Sequence, residues 1–253
     1  MANQIFNAAY KLSPVPKDTH PFGTFSFAIA QIALSFIIEH EVAHILNGHL
    51  LLQQKPTEQL EMTMTHDDNY SKSMSHLDIQ TLEMDADACA VTRTLSWATQ
   101  IHRYAENGGK ISDGLLPFFD GFSETEVITN TNRAITLAIV SLCQEDPELD
   151  QCKQQSHLPR TARIFHAVGL TEHVCKQLFN FSVSERVSIE QQSKIINDVI
   201  LKVGGESSNR QDVLDFYLQP KVGYIHTLTR NWDDNISPKL QGIAPVSTLR
   251  KYD

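Results

Sequence analysis

Apolar residues recur at helical spacing in separate blocks along this chain, and each block ends at glycine, proline or an acidic turn. The most apolar run, "FAIAQIALSFII" from Phe27 to Ile38, follows the proline- and glycine-marked "SPVPKDTHPFG". Nothing after it breaks a helix before about Leu52 except Gly48, which an isolated helix tolerates. A second helix is predicted from His76 to about Glu106, ended by "ENGGK", and a third from about Glu124 to Cys143, stopped by "QEDPELD". A fourth runs from about Pro159 to Leu178, with Gly169 as a point of weakness. "SVSERVSIEQQSKIINDVILKVGG" reads as a further helix capped by Ser182 or Ser184. Beyond Asn209 the pattern supports one more short helix and an irregular tail.

The stretch between the first two helices differs. "QLEMTMTH" alternates Leu60, Met62 and Met64 with Glu61, Thr63 and Thr65, which suits a short strand or hairpin over Gln59–His66. "ISDGLLPFFDGF" is a turn-rich connector, and Trp97 belongs in the core. The expected fold is therefore mainly α, a helical catalytic core with at most a short β-hairpin and a helical C-terminal extension. Residues 1–180 form the first unit and 181–253 an extension packed on it, or all 253 residues make one domain.

Composition narrows the function. Hydrophobic content of 41% is ordinary for a globular chain, and a formal net charge of −9 argues against nucleic acid, whose binding needs clustered Lys and Arg. The N-terminus lacks the charged start and apolar core of a signal peptide. The Phe27–Ile38 run is too short to span a bilayer comfortably, so no membrane span is expected. Cys89, Cys143, Cys152 and Cys175 show no CxxC spacing and read as reduced thiols. Together these features point to the cytoplasm. The sequence carries no signal of oligomeric state.

Candidate chemistry begins at the end of the first block, where His40-Glu41-Val42-Ala43-His44 spells HExxH. At 3.6 residues per turn, His40 and His44 leave the helix on one face, one turn apart, which is the spacing for two imidazoles on a single Zn2+. Glu41 then sits beside the metal as a base for its bound water. A catalytic zinc needs a third protein ligand. "LEMDADACAV" offers Glu83, and Asp87, one turn on, faces the same way and is placed to hold the free ring N–H of a zinc histidine. Taken alone, "EMDAD" equally suits an acidic first turn that complements the helix dipole.

HExxH followed by Glu-x-x-Ala-Asp resembles the gluzincin metallopeptidases, in particular the group with the CAAX prenyl proteases, HtpX and BepA. The resemblance implies that His40, His44 and Glu83 bind zinc, that Asp87 supports a histidine, and that Glu41 is the base. "HEVAHILNGHL" also resembles the group's HExxHxxxxH form. It adds His49, which lies off the zinc-facing stripe and serves packing or a local hydrogen bond. "SHLPRTAR" matches the group's Ser/Thr-His-Pro-Pro-x-x-x-Arg element, with Leu158 in place of the first proline. It implies an active-site role for His157, as oxyanion stabiliser or zinc cap, and a supporting ion pair for Arg163. The same segment also reads as a helix N-cap, with Ser156 or His157 ahead of Pro159.

The resemblance covers roughly residues 25 to 169. The group's usual β-sheet ahead of the zinc helix has no room here, so if a substrate strand docks, Gln59–His66 is the candidate partner. Smaller neighbours, the ImmA/IrrE regulatory proteases and the Lit phage-exclusion protease, share HExxH and a downstream acidic ligand. The expectation is a zinc-dependent endopeptidase acting on a protein or peptide. The alternative is a non-catalytic protein, zinc-stapled or partner-binding, derived from a protease. His66, Asp67, Asp68 and His76 read as a solvated loop, and His166 and His173 as ordinary helix histidines. A serine triad and a phosphate-cradling loop have no supporting motif.

Overall fold

A computed structural model of the chain describes residues 5, 7, 9, 25–53, 74–143, 146–179, 194, 210–219, 223–241 and 243. Its described part is mainly helical, with no strand among the described residues. The Gln59–His66 hairpin, His66, Asp67, Asp68, Tyr70 and nearly all of the helix after Ser182 lie outside the described residues.

Helix α1 spans Phe25–Leu46, and a short α2 spans His49–Gln53. The uninterrupted helix expected to Leu52 is therefore two pieces. Gly48 takes a φ of 77°, a conformation that a residue with a Cβ adopts at a cost, and the chain turns there. At 22 residues α1 is long and apolar enough to cross a membrane by length and composition, so the shortness of Phe27–Ile38 does not argue against it. In this structure its Ala28, Ile29, Ile32, Ala33 and Phe36 are buried in the protein core.

Helix α3 spans His76–Glu106 and is the spine of the fold. Ser75 starts it with a capping box: its hydroxyl accepts from the Asp78 N–H while the Asp78 carboxylate accepts from the Ser75 N–H. Helix α4, Leu116–Phe119, lies within the connector read as turns, and buries Phe118 and Phe119. Helix α5, Glu124–Leu142, opens on a second capping box between Ser123 and Glu126. Helix α6, Arg160–Phe179, runs unbroken through Gly169. After residue 209 come α7 (Arg210–Leu218), α8 (Tyr224–Asn231), one π-helical turn (Trp232–Ile236) and α9 (Ser237–Leu240). The single short helix expected there is corrected to a compact helical group. Its apolar residues are too few per helix to give a periodic signal, and they are buried only jointly, around Trp232.

Two cores share α3. The larger joins α1, the C-terminal half of α3, α5 and α6 through residues such as Phe36, Leu95, Ile135 and Ile164. The smaller joins Leu82 and Met84 of α3 to Leu158, Tyr217, Leu228 and Trp232. Between them α1 crosses α3, and the crossing is made by Ala43, Ala86 and Cys89. Small side chains at a crossing let two helix axes approach closely. The HExxH and "EMDAD" segments face each other across that crossing.

Candidate metal centre

The α1–α3 crossing brings together residues from two distant segments. His40 Nε2 lies 3.2 Å from His44 Nε2 and 3.5 Å from Glu83 Oε2, and His44 Nε2 lies 3.4 Å from Glu83 Oε1. These residues form a group with one ligand atom each, all within 4.8 Å of one another. A tetrahedral ion with bonds of about 2.0–2.1 Å keeps its ligand atoms about 3.3–3.4 Å apart, and each nearest approach, taken to one or the other Glu83 oxygen, is close to that. Glu83 Oε2 is buried and faces His40 Nε2 at 3.5 Å and His157 Nδ1 at 3.1 Å. Two neutral-capable imidazoles and a carboxylate are also the donor types that zinc takes in catalytic sites. The residues fit the ion.

Each histidine is held from behind. His40 Nδ1 lies 2.9 Å from Asp87 Oδ1. Arg163 grips the same carboxylate with two bonds, Nε donating to Oδ2 at 2.8 Å and Nη2 to Oδ1 at 2.6 Å. Burial alone would raise the Asp87 pKa, but the Arg163 guanidinium and His40 hold its carboxyl far below the usual range. His44 Nδ1 lies 3.0 Å from His49 Nδ1, and His49 Nε2 lies 3.2 Å from Asp85 Oδ2. Asn47 donates to that same oxygen at 2.6 Å. With Nδ1 so occupied on both rings, Nε2 is the nitrogen aimed at the metal position.

His157 also reaches the centre, its Nδ1 3.1 Å from Glu83 Oε2 while half its side chain stays exposed. Its hydrogen bond to Glu83 raises the His157 pKa against the effect of burial. Gln80 holds the loop that carries it, donating at 2.8 Å to the carbonyls of Cys152 and Gln155. Neither Ser156 nor His157 caps α6, as the sequence allowed. Asp146 does so, accepting the Thr161 N–H at 2.8 Å and the Thr161 hydroxyl. Leu158, the departure from the double proline, is buried in the smaller core, where an apolar side chain gains more than a ring fixed at the surface. Glu41 is exposed at the next helix position, about 100° round from His40.

Sequence reasoning missed Asp85, Asn47, Gln80 and Asp146. Asp85 sits about 200° round the helix from Glu83, so face-matching excluded it. The one signal was the Asn47-Gly48 turn, which carries His49 back toward α3. His76, Tyr104 and His173 are exposed, away from this cluster in sequence. The four cysteines are free thiols; Cys143 lies 3.4 Å from Arg163 Nη1 and is not paired with Cys152.

The metal-free centre holds a proton. Burial lowers the His40 pKa, but hydrogen bonds to Asp87 and Glu83 outweigh it and carry the value up to about 10. Burial takes His44 down to about 4, so that ring is neutral. A raised histidine stabilises the metal-free fold fully below its unfolded pKa of about 6.5, and this contribution is lost as pH rises through 10. Binding through His40 Nε2 must expel the proton. Zn2+ uptake at pH 7 is therefore expected to release at least one proton, and affinity to rise at least about tenfold per pH unit from 7 towards 10. Titration calorimetry in two buffers of different ionisation enthalpy measures the release, and a value near zero contradicts it.

Comparison of the chain with protein-family models, with curated proteins and with solved structures gives no match.

Proposed function

We propose that the chain is a zinc-dependent endopeptidase of gluzincin type, acting on a protein or peptide. One observation carries this reading: two imidazoles and a carboxylate with one ligand atom each within 4.8 Å of one another, and Glu41 exposed at the helix position next to His40. The resemblance of the three motifs to gluzincins supports it. His40, His44 and Glu83 are the ligands, and a zinc ion held there supplies a water of pKa about 7 and a polarised peptide carbonyl.

Glu41 takes the proton from the attacking water and hands it to the leaving amine nitrogen. Asp87 and His49 keep the two imidazoles correctly turned, because each occupies an Nδ1. His157 donates to the carbonyl oxygen as negative charge grows there, from a loop that Gln80 fixes.

A second reading, a closed and non-catalytic zinc staple, is favoured by the nearness of His157 to Glu83, since His157 would then be the fourth ligand. The two differ in a simple assay. The zinc-loaded protein is expected to bind one equivalent of metal and to cleave an unfolded protein such as casein. A chelator should abolish cleavage and added zinc restore it. One tightly bound zinc without cleavage of any unfolded protein selects the staple.

A further inference from the structure

We propose that His49 is the positioning residue of His44, through a relay that runs from His44 by way of His49 to Asp85. This rests on the reading of His44 as a metal ligand and adds to it what fixes that ligand. When His44 binds through Nε2, its Nδ1 must carry the proton, and the group 3.0 Å away is His49 Nδ1. That atom accepts, so His49 is the tautomer protonated on Nε2, and Nε2 faces the Asp85 carboxylate at 3.2 Å. The His44–His49 step has one donor and one acceptor, and His49 Nε2 ends 3.2 Å from an Asp85 carboxylate oxygen, close to it but without the angle of a good hydrogen bond.

The relay is built, not incidental. His49 and Asp85 are both fully buried. Asn47 donates to the Asp85 oxygen that His49 faces, which fixes the carboxylate. Trp232, from the C-terminal helices, meets the His49 ring edge to face, with centroids 6.4 Å apart. The turn at Gly48 puts His49 in reach, since five residues along a straight helix would carry it about 140° away from His44. His44 thus has a support of its own, parallel to the Asp87–Arg163 support of His40. It also ties the C-terminal helices to the centre: Trp232 belongs to the smaller core and meets His49.

The test compares wild type with His49→Ala, His49→Gln and Asp85→Asn, and uses His173→Ala, an exposed histidine of α6, as control. Zn2+ affinity is read by competition with a chromophoric chelator, and ligand geometry by the visible spectrum of the Co2+-loaded protein. His49→Ala is expected to weaken Zn2+ binding about 10- to 100-fold and to shift the Co2+ bands. His49→Gln should recover much of the loss, because its carbonyl accepts from His44 and its amide donates to Asp85. His173→Ala should match wild type. If His49→Ala fails to fold, Asp85→Asn carries the test with an expected loss of about tenfold. Affinity within twofold of wild type and an unchanged Co2+ spectrum in the folded variant would overturn the relay while leaving the metal centre standing. A wild type that takes up neither ion overturns the metal centre itself.

Discussion

Glu41→Gln is expected to lower peptide hydrolysis by about 10²- to 10⁴-fold while leaving zinc content and fold unchanged. Glutamine keeps the shape of the side chain and removes the basic oxygen pair. Glu41 is exposed and one position along the helix from His40, so neither the larger core nor a ligand atom depends on its charge. The measurement pairs metal stoichiometry with the rate of cleavage of an unfolded protein. Unchanged cleavage with full metal content would remove Glu41 from the reaction. Lost cleavage together with lost metal would place it in metal binding instead. The comparison is informative because a general base acts on the rate and not on the ground-state affinity for the ion.

The second large effect falls on stability. Arg163→Ala should destabilise the fold by about 3–5 kcal/mol, because it leaves the fully buried Asp87 carboxylate with His40 alone. In a chain of this size that is a fall in melting temperature of roughly 10 °C. Arg163→Lys should recover only part of it: an ammonium is one point charge, while the guanidinium satisfies both Asp87 oxygens at once. The double variant Asp87→Leu/Arg163→Met should regain most of the stability, since it removes both members of the pair and leaves neither of their charges unpaired. It should nevertheless bind zinc about 10- to 100-fold more weakly, because His40 loses its orienting carboxylate. Thermal unfolding and zinc competition on the four proteins separate the two roles. A single Arg163→Ala variant as stable as wild type would mean that Asp87 is not charged in the fold.

Much of the candidate centre is legible along single helices. His40 and His44 share a face by their spacing alone, and so do Glu83 and Asp87. The partner of each pair is not legible, because more than thirty residues separate them and nothing local brings them together. What joins them is the crossing at Ala43 and Ala86, two small residues that look unremarkable inside their motifs. Asp85 shows the same limit from the other side. Its place on the helix directs it away from Glu83, yet it supports His44 through a residue of another helix. The Asp146 cap on α6 could not be read either, since it comes from across a loop and not from the residues that precede the helix.

The sequence by itself determined where the main helices run and which of their residues share a face. Those features depend on contacts three or four residues apart, on capping boxes such as Ser75–Asp78, and on glycines that end a run. The tertiary structure alone decided that two histidines and a glutamate lie about 3.2–3.5 Å apart, that each histidine has its own buried support, and that the C-terminal helices stand behind one of them. Those outcomes depend on how the helices cross. A crossing is fixed by the summed packing of two whole cores, which no window of adjacent residues contains.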